Sequence, residues 1–384
     1  MKHSIFTVAH VGRLRRSKPN GIEQTILGLV DHLPEHNVAS EIWDLDPEAR
    51  TIEMTLDEHG TKIFRIPSRS RVRSAIWGLP IISKNWLRAR SSLVDVVHCH
   101  SVFLPQQIAA ARYAKRTVLS PHGGYMPAVL NGRSRAAKKI WRAFVEDRFV
   151  RSVSALHAVS PSEAKQLESL FGHSRILTIP NAISLIPEAE RALDRRYLND
   201  WTFGFLGRLA IEQKGLDLLI DAYRDVRRND SFPRLEIVGQ DFRGSVQQIR
   251  NSAPELIDSN AVSLSGPIFG QDKNAFFGRI GVFVHTSRWE GLPFSVLEAM
   301  AWGCPVLVTP ETNLAGKVEE FEAGWICTLA PREIATALRN ISQLPREELK
   351  RRGANAIRLA RESFSWGGVA KSMAELYHTL EVQS

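Results

Sequence analysis

Residues 285–308 read HTSRWEGLPFSVLEAMAWGCPVLV. An apolar run, Val282-Phe283-Val284, delivers the chain to the polar bend Thr286-Ser287-Arg288-Trp289. Glu290 and Gly291 follow, and after Pro293 the pattern turns helical, with Glu298 in the second turn. Gly303 closes that helix, and Pro305 starts another apolar run, Val306-Leu307-Val308. Strand, loop, helix and strand form the repeating unit of a parallel sheet, so the stretch sets the fold class as α/β. In helical projection Ser295, Glu298 and Trp302 share one face, while Val296, Leu297, Met300 and Ala301 cover the rest. A glutamate in so apolar a helix needs a partner, because a buried unpaired charge is costly. Vicinal hydroxyls of a ribose would serve, since a carboxylate accepts two hydrogen bonds side by side. The backbone from Gly291 through Leu292, Pro293 and Phe294 to Ser295 forms the helix N-terminus, where dipole and donors favour a phosphate. Glu290, one step earlier, could reach sugar hydroxyls beyond that phosphate. The plainer alternative is a surface glutamate and a helix-face ion pair.

Upstream, Gly207-Arg208 ends the apolar run Thr202–Leu206, and Lys214-Gly215 opens a helix with Leu216, Leu219, Ile220 and Tyr223 on one face. Two cations at a strand's carboxyl end are placed to neutralise a leaving diphosphate. A helix-flanking surface pair is the competing reading. Further strands are expected at Leu235–Val238, Val262–Leu264 and Trp325–Cys327. The same alternation fills the first half, with runs at Ser4–Ala9, Val38–Trp43, Ile63–Ile66, Val94–Val97, Thr117–Leu119, Ala155–Val159 and Ile176–Ile179. At 384 residues the chain exceeds one ordinary core. Residues 186–200 are polar, hold a proline and lack strand pattern, which places a linker there. Domains are therefore expected at 1–185 and 200–364, with a helical tail, 365–384, packing back across the first. Two tandem βα domains would leave one cleft facing a shared ligand.

Composition excludes several classes. The apolar fraction is 43% and the charged fraction 24%, as in soluble globular proteins. No run approaches the roughly 20 apolar residues needed to span a bilayer, and Met1–His10 lacks a signal-peptide pattern. Cys99, Cys304 and Cys327 sit in or beside apolar runs and suggest no disulfide framework, so a cytoplasmic location is expected. The net charge of +9 lies wholly in residues 1–190, which hold 26 Lys and Arg against 17 Asp and Glu. It concentrates at Lys62–Arg90, with Trp77 and Trp86, and at Arg133–Arg151, with Trp141, Phe144 and Phe149. Basic residues beside aromatic ones suit an anionic membrane surface. No nucleic-acid motif accompanies them, and a solvated face is the simpler account.

GRLAIEQKGLDLLIDA (207–222) and EGLPFSVLEAMAWGCPVLVT (290–309) together resemble the retaining glycosyltransferases of family 4, also termed glycosyl transferases group 1. Supporting matches are VVHCHS (96–101), SPHGGYMP (120–127), HAVSPSEAKQL (157–167) and IPNAIS (179–184). The resemblance implies the GT-B fold, two Rossmann-like domains. It further implies sugar transfer, with retained configuration, from a nucleotide-diphosphate sugar to a hydroxyl of a glycan acceptor, including lipid-linked ones. The SPHG form followed by a basic helix resembles members that build bacterial surface polysaccharide and exopolysaccharide. By that resemblance Arg208 and Lys214 bind the diphosphate, Glu298 the ribose and Glu290 the transferred sugar. His122, in Pro-His-Gly-Gly after a strand, takes the family's place against donor sugar and acceptor. Gly21 matches the second glycine of a phosphate-contacting Gly-Gly-x-Glu loop, whose first glycine is here Asn20.

No metal and no cofactor is expected, since GT-B members use basic side chains where others use a metal. His98-Cys99-His100 lacks further ligands nearby, so core or cleft-lining residues are the better reading. Asp44-Leu45-Asp46 has the D-x-D form of metal-dependent glycosyltransferases of another fold. Two rival readings stand beside this one: a nucleotide-sugar 2-epimerase of the same architecture, and, in a different class, a non-catalytic nucleotide-sugar-binding scaffold.

Overall fold

The computed structural model describes residues 6–14, 21–68, 81–132, 134–197, 200–227 and 232–381. Lys18, Asn20, Arg69, Arg71, Arg73, Trp77, Arg133 and Val382 lie outside them. The chain divides into two compact units, Met1–Ala182 with Trp366–Ser384, and Ile183–Ser365.

The first unit holds an eight-stranded sheet of β1 (Phe6–Gly12), β2 (Val38–Asp46), β3 (Glu53–Leu56), β4 (Lys62–Pro67), β5 (Val96–His100), β6 (Thr117–Ser120), β7 (Ala155–Ala158) and β8 (Ile176–Thr178). The order is β3-β4-β2-β1-β5-β6-β7-β8, parallel throughout except for β3 against β4. Successive residues feed opposite cores, as a pleated strand demands. Val8, Val96 and Val118 pack with the helices Gly21–His32 and Trp366–Glu381, while Ala9, Val97 and Leu119 pack on the other face with Leu87, Val150 and Leu167. Both faces are covered, which is why these strands read as unbroken apolar runs. The terminal helix contributes Met373, Tyr377 and Leu380 to this core. Gly28 makes room for it: a Cβ there would lie 1.8 Å from the Trp366 ring.

The second unit holds β9 (Phe203–Leu206), β10 (Leu235–Val238), β11 (Val262–Ser265), β12 (Val282–His285), β13 (Val306–Val308) and β14 (Gly324–Ile326), ordered β11-β10-β9-β12-β13-β14 and all parallel. The α/β, GT-B reading therefore holds. One expectation needs correction. The polar stretch 186–200 is not an open linker: Ala189–Arg196 is a helix of the second unit, because Leu193 and Tyr197 join its core and Arg196 donates to the Ile280 and Trp302 carbonyls. The tail helix, Trp366–Glu381, follows Arg346–Phe364 after a break at Ser365, which bridges to Ile183, and packs into the core of the first unit. The edge strand β3 is not among the expected strands; all four of its residues are exposed, so no apolar run marks it.

Candidate active site

In the second unit β9 is followed by β10 and β11 on one side, and β12 then returns to its other side. The carboxyl ends of β9 and β12 form the switch point where open α/β sheets bind ligands. Arg208 leaves β9 there. The short helix Ile211–Lys214 carries Lys214 back toward β12, and Gly215 makes the approach possible with φ +62°. A Cβ on Gly215 would sit 2.1 Å from the Thr286 carbonyl oxygen, so only glycine fits. Arg288 fastens the same segment, donating to both oxygens of Asp217 at 2.8 and 2.7 Å and to the Glu212 carbonyl at 2.8 Å.

Lys214 thereby reaches Glu290. Glu290 Oε1 accepts from Lys214 Nζ at 2.5 Å, from the Ser287 hydroxyl at 2.7 Å and from His285 Nε2 at 3.1 Å. All three donors converge on Oε1, and Oε2 takes none of them. Glu290 is 7% exposed. Burial by itself would raise its pKa, but the Lys214 ammonium and the His285 hydrogen bond outweigh it and hold the carboxyl well below the usual range. His285 lies between the Phe205 and Phe283 rings, at 5.4 and 6.0 Å, and its burial keeps it neutral. Asn313 Nδ2 donates to the Glu290 and Gly291 carbonyls at 2.7 and 2.8 Å, fixing the loop that enters the helix Phe294–Ala301.

Glu298 has a protein partner. Lys273 Nζ, from the helix Gly270–Arg279, lies 2.7 Å from its Oε1. Its apolar surroundings therefore do not by themselves require a ribose. Arg208 donates to Gln213 Oε1 at 2.7 Å and lies 4.6 Å from the Phe242 ring centre. Gly291, Leu292 and Pro293 connect Glu290 to the first turn, where Phe294 and Ser295 supply N–H groups ahead of the helix's own hydrogen bonds. The second unit thus brings together Arg208, Lys214, Glu290 and the entry to the Glu298 helix.

The first unit carries His122 after β6, with φ +51°. Ser101 and Phe103, after β5, also have positive φ, at +84° and +58°. Strained non-glycine backbone at adjacent carboxyl ends marks a position held for more than packing. Two buried carboxylates pin these loops. Glu163 accepts the Gly123 and Val159 N–H groups at 2.6 and 2.8 Å. Glu146 accepts the Phe103 N–H, the Tyr125 hydroxyl and the Trp141 indole at 2.9, 2.7 and 2.7 Å. Gly21 starts the helix Gly21–His32.

His10, His98 and His100 offer ring nitrogens within 4.8 Å of one another. Both nitrogens of His98 are occupied, by Tyr377 Oη and Ser120 Oγ at 2.6 Å each. Ser120 continues to His157 Nδ1 at 2.6 Å, and His157 Nε2 donates to the Ile179 carbonyl at 2.7 Å. That carbonyl sets the direction: Tyr377 donates to His98, His98 to Ser120, and Ser120 to His157. Asp44 accepts the Leu14 N–H at 2.9 Å and Asp46 is bonded to Arg65.

Sequence reading missed His285, Ser287, Lys273 and Asn313. His285 and Ser287 lie inside the stretch first read, but their convergence on one oxygen is a property of the bend.

Two parallel-sheet units, one carrying paired basic and acidic groups at its switch point, define the GT-B glycosyltransferase class. The model for Glycosyltransferase Family 4 matches residues 19–185, and that for Glycosyl transferases group 1 matches 200–343. The two matches together span most of the chain, which belongs to this family of glycosyltransferases. It is 27% identical over 250 residues to mannosylfructose-phosphate synthase of Agrobacterium fabrum, covering 59% of this chain and 53% of that protein. It is also 27% identical over 180 residues to an Escherichia coli protein whose name assigns it to colanic acid biosynthesis, covering 44% and 43%. The chain thus spans about half the length of these curated relatives. Among solved structures, Anabaena HepE in complex with UDP-glucose superposes with a TM-score of 0.74 at 16% identity, over 97% of this chain and 99% of that one.

Proposed function

We propose that this glycosyltransferase moves a sugar from a nucleotide-diphosphate sugar to a hydroxyl of a lipid-linked glycan, with retention and without a metal, in building a bacterial surface polysaccharide. The observation that carries the reading is the Lys214–Glu290 pair at the β9/β12 switch point with Arg208 beside it. As the glycosidic bond breaks, charge accumulates on the diphosphate. Arg208, Lys214 and the N–H groups of Phe294 and Ser295 supply compensating positive potential. Glu290, kept anionic, accepts hydrogen bonds from the sugar through Oε2. Glu298 exchanges or shares its Lys273 contact with the ribose, and Gly21 and His122 contact phosphate and sugar. Retention without a protein nucleophile follows when the acceptor attacks from the leaving group's own face and a diphosphate oxygen takes its proton.

UDP-glucose is the first donor to test, given HepE. Arg208→Ala is expected to lower nucleotide release by about 10²-fold, as for loss of one charge-stabilising donor. Activity is expected to be unchanged in EDTA. Near wild-type release in Arg208→Ala would defeat the assignment, and abolition by EDTA would return attention to Asp44 and Asp46.

Membrane association is part of the proposal. Among the described residues no helix is long and apolar enough to cross a bilayer. The surface reading instead rests on one face between Arg135 and Ser152. Ile140 is 62% and Phe144 79% exposed, and Arg148 and Arg151, which follow them, are exposed as well. Trp141 and Phe149 do not contribute, since Trp141 donates to Glu146 and Phe149 is buried. In the other basic cluster Arg65 and Arg90 are paired with Asp46 and Glu41, and Trp86 packs edge-on to Trp43. Wild type is expected to sediment with vesicles of phosphatidylglycerol at low salt and not with phosphatidylcholine. Phe144→Ser should weaken that recovery; equal recovery on both lipids would count against the surface.

A further inference from the structure

We propose that His10 and His100 fix the tautomer of His122, so that His122 meets its ligand as an N–H donor through Nδ1. The first unit has its own switch point, between β1 and β5. His10 on β1 stands in register with His98 on β5, and His100 lies two residues further along β5 on the same face. His10 Nδ1 is 3.1 Å from His100 Nε2, and His100 Nδ1 is 3.2 Å from His122 Nε2. The His100 and His122 rings are nearly parallel, at 16°. His10 and His100 are fully buried, whereas His122 is partly exposed, so the open end of the chain is at the carboxyl ends of the strands.

Burial lowers the pKa of all three, to about 3 for His10 and His122, so each ring is neutral and carries one N–H. Only two proton arrangements then satisfy both hydrogen bonds. In one, His122 donates to His100 and His100 to His10, which leaves an N–H on His10 Nε2. That nitrogen is buried and has no partner, and an orphaned buried N–H is the rarer and costlier defect. In the other, His10 Nδ1 donates to His100, His100 Nδ1 donates to His122, and the unpartnered nitrogen is a bare ring nitrogen. The chain accepts that defect elsewhere: His285 must donate to Glu290 through Nε2, which leaves its buried Nδ1 bare and unpartnered. The second arrangement follows. It puts the His122 proton on Nδ1, directed to an oxygen lone pair of sugar or phosphate, and removes His122 as a base for the acceptor hydroxyl. His10 and His100 are positioning residues in this account.

The catalytic consequence rests on the glycosyltransfer reading, but the tautomer does not. Nitrogen-15 spectra of histidine-labelled protein, with His122 assigned from the signals lost in His122→Gln, should show protonated Nδ1 and bare Nε2. His100→Asn keeps a donor near the place of Nδ1 and should preserve that tautomer. His100→Leu removes it and should move the proton toward Nε2. With UDP-glucose and the acceptor, His100→Leu should lower kcat by about 10-fold or more with donor KM little changed, and His100→Asn should restore it. Protonated Nε2 in wild-type His122 overturns the proposal without touching the transferase reading. Absence of transfer in wild type would overturn that reading and leave the tautomer result standing.

Discussion

Lys214→Met is expected to reduce donor turnover by about 10²–10³-fold and, separately, to destabilise the second unit by roughly 3–5 kcal/mol. Both effects come from one contact. Glu290 is 7% exposed, and burial favours its neutral acid; the Lys214 ammonium at 2.5 Å is the larger of the influences that keep it charged. Removing the cation leaves a buried carboxylate with only Ser287 and His285 against it. Its pKa then rises, and the folded state gives up stability that an exposed carboxylate would not supply.

A second substitution separates the two roles. Glu290→Gln in the Lys214→Met background removes the uncompensated charge, so most of the lost stability should return. Activity should not return, because neither the diphosphate cation nor the sugar-binding carboxylate is present. Urea unfolding with nucleotide release from UDP-glucose reads both quantities. If turnover recovered together with stability, Lys214 and Glu290 would be a structural pair only, and the active site would have to be sought elsewhere. If Lys214→Met left stability unchanged, the pair would be more solvated than its geometry indicates.

The chemistry of this unit was legible because it sits in contiguous segments. Arg208 and Lys214 flank one loop, Glu290 and Glu298 flank another, and Gly215 and Gly291 mark where the backbone must bend or be approached. What stayed hidden depends on tertiary partners. Lys273 is 25 residues from Glu298, and no local pattern links them. The same limit applies to the histidines. His98 and His100 could be placed on one face from their i, i+2 spacing, but His10 joins them only because β1 neighbours β5, a register that alternating βα segments do not disclose. The helix at 189–196 did carry a signal, since Leu193, Arg196 and Tyr197 recur at three and four residues. Its surrounding charge outweighed that signal in a polarity-based reading.

Acid should unfold the first unit before the second. Eleven of the twelve histidines lie in the first unit, and four of them, His10, His98, His100 and His157, are buried. Burial depresses each pKa, to about 3 for His10, about 4 for His157, and well below the ordinary value for His98 and His100. The unfolded chain therefore binds protons near pH 6.5 that the folded chain refuses. Stability is full above that pH and falls as pH drops from about 6.5 toward the folded values, by about 1.4 kcal/mol per group per pH unit. Between pH 6.5 and pH 5 His10 and His157 each remove about 2 kcal/mol, and His98 and His100 act in the same direction, a substantial part of the stability of a typical domain. Glu163 acts oppositely: burial raises its pKa, so protonation relieves its cost in the carboxylate range. Asp31, whose pKa burial also raises, adds to this, but both relieve their cost only in the carboxylate range, below the pH at which the imidazoles begin to act. The second unit has only His285 in this class, and its Glu290, with a depressed pKa, loses its contribution only in much stronger acid. Hydrogen exchange at pH 7 and pH 5, corrected for intrinsic rates, should show protection lost in β5–β7 and kept in β9, β12 and β13. Simultaneous loss in both units, or equal protection at the two pH values, would mean that the imidazoles take up protons while folded. The neutral hydrogen-bonded chains from Tyr377 to Ile179 and from His10 to His122 would then not describe the protein in solution.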